Sequence, residues 1–268
     1  MRDQEIISQI KLLKSEHPFW GYRRIWANLN NKLGVNYNKK RIYRIMKANN
    51  LLLSKDNNNK ALRTKKSKPI AMSPNSWWGI DMTKIKLHYI GWVYITVIID
   101  WYSKKILGYH IGLQSKSIDW QAALDMAIHR QYPFGIKRYQ HNLCIMSDNG
   151  CQPTSRSFKD NCKLLGINLV FTSYCNPKGN AETERFIRTM KEECLWINEF
   201  ESFDELKQIL TNWIENYNQQ YLHSSLKYKT PNQFEEEYFN KNPLQFIENK
   251  NQKYQQKWDI ELPERRAI

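Results

Sequence analysis

The chain has 268 residues, 41 Lys+Arg against 26 Asp+Glu, a formal charge of +15 and five cysteines. That length supports one large domain or two unequal ones, each burying its own core, and excludes a mini-protein held by disulfides. No apolar run approaches the roughly 18 residues of a membrane span, Met1 to Ile10 carry charges where a signal peptide needs an apolar stretch, and the odd cysteines have no zinc-ligand spacing, so the expectation is a cytoplasmic protein with reduced thiols.

The charge is unevenly placed. Residues 1–70 hold 17 Lys+Arg and 4 Asp+Glu, a balance of +13, whereas the remaining 198 residues are nearly neutral at +2. A basic head on a neutral body is a nucleic-acid signal.

Within the head, Ile6, Ile10 and Leu13, then Ile25, Trp26 and Leu29, then Ile42, Ile45 and Met46 recur at helical spacing. Pro18 with Gly21, and Gly34 with Asn36 and Asn38, separate three short helices. The third helix carries Lys40, Arg44 and Lys47 away from its apolar stripe, so one face is continuously basic, as in a helix-turn-helix whose last helix enters a major groove. Residues 1–53 are therefore expected to be a small all-α DNA-binding domain. Residues 54–70, almost free of apolar side chains and ending near Pro69, read as a basic linker.

After the linker the pattern turns to β. Trp78–Leu87, Trp92–Ile99 and Lys105–Ile111 are rich in β-branched and aromatic residues and form a predicted meander. A helix (Ser117–Arg130), a buried strand (Leu143–Met146), a helix (Ser155–Leu164), a short strand (Asn168–Phe171) and two helices (Asn180–Leu195 and Phe203–Gln219) follow. The expected fold is α/β, a mixed five-stranded sheet with flanking helices over residues 71–239, antiparallel first and parallel after. Residues 240–268 read as a polar tail. Trp77, Trp78 and Trp92 read as core or sheet residues, not base-stacking platforms.

Three acids fall where such a sheet would gather them. Asp81 lies inside an apolar strand, where an ionised carboxylate needs a partner. Asp148 follows the buried strand, at the carboxyl end where open α/β sheets place their sites. Glu184 lies on the helix beginning near Asn180, with 35 residues between it and Asp148. Together they make an all-oxygen pocket suited to magnesium, with manganese as substitute. Each also has a plainer reading: Asp148 before Asn149-Gly150 suits a turn, and Glu184 suits an ion pair with Arg188. Asp100 reads as a turn residue, and Asp119, Asp125 and Asp160 as helix-surface acids.

These residues carry a resemblance. His17 to Ile25, Lys40 to Met46, Trp78 to Thr83, Ser147-Asp148-Asn149-Gly150, Asn180 to Phe186, and His223 to Leu226 followed by Thr230-Pro231 resemble, in order, segments of the OrfB-type transposases of the IS-three family of insertion sequences, within the DDE recombinases that include retroviral integrases. The resemblance implies a ribonuclease H-like integrase core behind a helix-turn-helix domain, with Asp81, Asp148 and Glu184 as catalytic ligands of two magnesium ions. It implies DNA contacts from Lys191, two helical turns after Glu184, and from Asn180. The basic residues Arg23, Arg24, Lys40, Arg41, Arg44 and Lys47 complete the expected DNA-contacting set. It further implies binding to terminal inverted repeats and target DNA, metal-dependent cleavage and strand transfer, a homo-multimer in a synaptic complex, and fusion with or help from an upstream reading-frame product. Gly179 replaces the family's usual Asp, and Tyr221-Leu222 replaces an Arg-Pro-like pair. The alternatives are a non-catalytic or domesticated DNA-binding relative, which would have lost a carboxylate, and a ribonuclease H-like nuclease, which would not need the basic head.

Overall fold

A computed structural model describes residues 3–53, 69–172 and 179–243. Most of the basic linker, Cys175 and nearly all of the polar tail lie outside them. The head folds as expected: α1 (Gln4–Glu16), α2 (Tyr22–Leu33) and α3 (Lys39–Ala48) pack through Ile6, Ile10 and Leu13 of α1, Ile25 and Leu29 of α2, and Ile42, Ile45 and Met46 of α3. Gly34 ends α2 at φ 60°, the left-handed conformation that glycine adopts without steric cost. The Asn38 side chain starts α3 by accepting from the Lys40 backbone N–H at 2.8 Å. With the apolar stripe turned inward, Lys40, Arg44 and Lys47 are all exposed.

The body is a five-stranded sheet in the order β3-β2-β1-β4-β5. Strands β1 (Trp77–Leu87), β2 (Gly91–Asp100) and β3 (Ile106–Gly112) form the antiparallel meander. Strand β4 (Cys144–Ser147) joins β1 in parallel, and β5 (Asn168–Phe171) joins β4 in parallel, because α4 (Ser117–Gln131) and α5 (Arg156–Leu164) supply the crossovers. The sheet is covered on both faces, which explains its nearly continuous apolar strands. Trp78, Ile80, Ile98 and Leu107 pack with α4 and α5 on one side. Val93, Ile95, Val97 and Ile99 share the other core with α6 (Ala181–Met190) and α7 (Phe203–Gln220). Trp78 is fully buried as expected, but Trp92 is 46% exposed and faces Lys84, so it is a sheet residue outside the core.

Two departures from the expected elements have physical causes. The helix expected over Asn180–Leu195 is α-helical only to Met190, and Lys191–Leu195 form a wider π-helical turn with Cys194 and Leu195 buried. The C-terminal part contains a further helix, α8 (Pro231–Lys241), started by a reciprocal cap between Thr230 and Gln233 with Pro231 in the first turn.

Asp100 does close the turn after β2, but as a fully buried group. It accepts from the backbone N–H groups of Asn75 (3.0 Å) and Ser103 (2.7 Å) and from the Ser103 hydroxyl (2.8 Å). Asn75 continues to Gln131 at 3.1 Å, and Gln131 to Glu235 at 3.2 Å, so a buried polar chain ties α4 and α8 to the sheet. Burial raises the Asp100 carboxyl to about 6 against the pull of those hydrogen bonds.

The head is not a free appendage, since its apolar residues join the same cluster as α7. Among the described residues the four cysteines are free thiols, and no helix is long and apolar enough to cross a membrane.

Candidate active site and nucleic-acid interface

Strands β1 and β4 run in parallel, and their last paired rung joins Gly79 to Met146. Asp81 and Asp148 each lie two residues beyond it, which sets the two acids level, Asp81 inside β1 and Asp148 just past the carboxyl end of β4. Asp148 is exposed, and its Oδ1 accepts the Gly150 backbone N–H at 3.0 Å, as the turn reading expects. Asp81 is partly buried and accepts the Met82 N–H at 2.8 Å.

Helix α6 brings the third acid by a close approach at Gly79. A Cβ there would stand 1.9 Å from Thr183 Oγ1 and 2.4 Å from Trp101 Nε1, so only glycine lets the helix settle on the strand. The buried Trp101 indole donates to Thr183 Oγ1 at 3.2 Å, and Asn180 Nδ2 donates to the Ile80 carbonyl at 3.3 Å. Glu184 follows Thr183 directly and is exposed; the ion pair that Arg188 makes is with Glu192, at 2.7 Å.

The Asp81 carboxyl registers the charges of the other two acids. Burial raises the Asp81 carboxyl to about 6, the negative charges of Asp148 and Glu184 add to that, and the Met82 N–H and Lys191 oppose it. Burial also raises Glu184. The Lys191 charge thus reaches Asp81. The donor set is all oxygen and lacks enough cation to balance it, which fits a hard divalent ion. Among the described residues no three acids, histidines or cysteines lie close enough together to hold one ion as arranged, so the acids are electrostatically coupled but held apart.

The other expected DNA contacts divide. Lys40, Arg44, Lys47 and Arg23 are exposed on the head. Arg41 pairs with Asp3 at 2.6 Å. Asn180 is buried, only 3% exposed, and its amide serves the Ile80 carbonyl, a placement that differs from the DNA-facing one expected. Arg24 also turns inward: its guanidinium lies 3.9 Å over the Tyr221 ring, donates to the Leu222 carbonyl at 3.3 Å and pairs with Glu193 at 3.3 Å. Tyr221 Oη donates to the same Glu193 carboxylate at 2.9 Å. Sequence reasoning missed Gly79, Thr183, Trp101 and Glu193. A lone glycine inside the apolar run Trp77 to Ile80 was a usable signal of close backbone approach, but nothing in the local sequence marks Glu193.

Residues 1–55 match a model described as an HTH-like domain, and residues 71–177 and 165–231 match two models described as integrase core domain. A transposase for insertion sequence element IS904 of Lactococcus lactis is 30% identical over 247 residues, covering 87% of this chain and 94% of its own length. The chain belongs to the insertion-sequence transposases. The transposase InsD for insertion element IS2D of Escherichia coli is 25% identical over 87% of this transposase and 78% of its own length. A chain of the simian T-cell lymphotropic virus intasome complexed with the PP2A regulatory subunit B56 gamma matches the fold with a TM-score of 0.53 at 18% identity, over 85% of this chain and 74% of that one. The protein is thus a DNA transposase with a polynucleotidyl-transferase-type core behind an HTH-like domain.

Proposed function

We propose that this transposase binds the terminal inverted repeats of its element and catalyses strand cleavage and strand transfer with Asp81, Asp148 and Glu184 as metal-binding carboxylates. The single observation that carries the site assignment is the raised Asp81 carboxyl, on which Asp148, Glu184 and Lys191 all act. Bound divalent ions would supply activation of water or a 3′-hydroxyl as nucleophile and stabilisation of the leaving oxygen. The chain's own residues do the positioning. The seat of α6 on Gly79 fixes Glu184 relative to Asp81, and the Gly150 N–H orients the Asp148 carboxylate. Lys191 is placed to neutralise phosphate at the edge of the site.

Outside the core, the exposed Lys40, Arg44 and Lys47 face supplies phosphate and base-edge contacts, with affinity that falls steeply with salt. Magnesium is the expected ion and manganese its substitute. The acting form is a synaptic multimer that includes the upstream reading-frame product.

The test incubates the protein, with and without that product, with magnesium and a labelled terminal-repeat duplex. End nicking and strand transfer, abolished in Asp148→Asn, are the expected result. Equal activity on unrelated duplex or on RNA–DNA hybrid would overturn the reading in favour of a general nuclease.

A further inference from the structure

Helix α6 has a second working side. Beside Glu184 on this helix, Glu182 and Arg185 form one wall of a cavity of about 370 Å³, which Arg24, Lys104 and His223 close. This cavity shares Glu182, Arg185 and Thr189 with the cavity that flanks Glu184. On its other side it shares Arg24 and Ser224 with a third cavity lined by Tyr22 and Arg23 of the head. Shared lining residues thus link the three cavities between Glu184 and the HTH-like domain.

The chemistry of the middle cavity is that of an anion seat. Arg24, Lys104 and Arg185 converge there against Glu182, with Arg24 partly offset by Glu193. Arg185 is exposed at the mouth beside Ser224 and Ser225 and makes no ion pair among the described residues. The Nε2 of His223 is buried without a hydrogen-bond partner among them. A buried ring nitrogen left without a partner is costly unless something fills the cavity. Burial, and after it the charges of Arg24, Lys104 and Arg185, hold the His223 imidazole down to about 3, so the ring is neutral and stands in their combined positive field.

We propose that this cavity seats one backbone phosphate of the DNA strand that runs between the HTH-like domain and Glu184, held by Arg185, Lys104, the His223 Nε2–H and the hydroxyls of Ser224 and Ser225. The inference rests on the proposed function for the identity of the polyanion. Glu182 selects against small free anions. It holds Lys104 at 2.9 Å, and a phosphate must displace it, which favours a phosphate delivered by contacts on both sides over one diffusing alone.

The experiment measures binding of the full chain to a terminal-repeat duplex without divalent ions, across a range of salt. Arg185→Ala, at an exposed position, is expected to reduce the slope of log affinity against log salt by about 0.9, one phosphate contact, or roughly a threefold smaller loss between about 50 and 200 mM. His223→Gln, which removes a neutral donor, is expected to weaken binding at an unchanged slope, and Arg185→Lys is expected to restore most of the slope lost in Arg185→Ala. Replacing single phosphates by neutral methylphosphonates is expected to reveal one linkage whose neutralisation weakens the wild type but not Arg185→Ala. Inorganic phosphate alone, titrated while the His223 ring is followed by NMR, separates the sources. A ring that responds to DNA and not to millimolar phosphate supports the seat.

An unchanged slope in Arg185→Ala with no Arg185-dependent linkage, or a ring that responds to free phosphate while the DNA slope stays intact, overturns it. Cleavage with magnesium is scored separately. A reduced slope without any wild-type cleavage sinks the catalytic reading and leaves the seat, whereas cleavage with an unchanged slope in Arg185→Ala sinks the seat alone.

Discussion

Arg24 Nη1 of the HTH-like domain lies 3.3 Å from Oε1 of Glu193, in the π-helical turn that begins at Lys191 and extends the helix carrying Glu184. Trp20 Nε1 approaches the same carboxylate at 3.4 Å and Tyr221 Oη at 2.9 Å, so one buried acid gathers donors from the head and from the end of α7. Wide turns of this kind recur at functional positions in helices. The one in this transposase joins its HTH-like domain to the helix that carries Glu184. Deleting residues 1–70 would strip that interface from the body, so the contribution of the head is better measured by point substitution.

Glu193→Ala should leave Arg24 partly buried without its counter-charge. Removing one partner of a buried pair costs several kcal/mol, and the Arg24 side chain is 25% exposed, so a loss of about 2–4 kcal/mol is expected. Calorimetry should then resolve a separate, earlier transition for the head. A single transition at the wild-type temperature would show that apolar packing alone holds the two parts together.

Gly79→Ala should uncouple α6 from the sheet. The added methyl has no space between Thr183 Oγ1 and Trp101 Nε1, and such overpacking costs roughly 1–3 kcal/mol. Because Glu184 is the next residue after Thr183, the loss of end cleavage should far exceed what the fall in melting temperature explains. Equal activity per folded molecule would remove Gly79 from the account of the site.

Asp81→Asn should abolish cleavage without destabilising the protein at neutral pH. The native carboxyl is raised to about 6 from an ordinary 3.8, so its ionised form at pH 7 opposes folding, and the amide relieves about 1–3 kcal/mol of that. The Met82 N–H retains an acceptor. Magnesium should raise the melting temperature of the wild type and not of the variant, because only the wild type gains from ion binding. A clear drop in stability without magnesium would contradict the reading of an acid held against its own preference.

His223 should make part of the stability pH-dependent. Its folded value is about 3 against an ordinary 6.5, so between these values the unfolded chain binds the proton more readily. The contribution is therefore complete above about pH 6.5 and lost as pH falls toward 3, amounting to a few kcal/mol. Asp100, raised to about 6, acts in the opposite sense, since its ionised form opposes folding at higher pH. Comparing wild type with His223→Gln cancels the Asp100 contribution, and the difference between their melting temperatures should narrow as the solution is acidified. A constant difference would place His223 outside this linkage.

Much of this was open to reading in the chain itself. The separation of +13 on 70 residues from +2 on the rest, the three apolar stripes of the head, and the β-branched and aromatic runs along β1 to β3 are local properties, and they suffice to divide the molecule and set its class. The acids could be singled out for the same reason: a charge inside an apolar strand, or at the end of one, stands out against its immediate neighbours.

What the sequence left undecided is which polar side chains face DNA and which face protein. Arg24 and Arg23 are adjacent and chemically identical, yet one pairs with an acid 169 residues away and the other stays exposed. Asn180 serves the Ile80 carbonyl, Asp100 is buried in a network reaching Glu235, and Glu193 joins two domains through a turn that no propensity predicts. Each of these outcomes depends on a partner distant in sequence, so the burial of a charge, and with it the shift of its pKa and its availability to DNA, is settled only when the chain closes on itself.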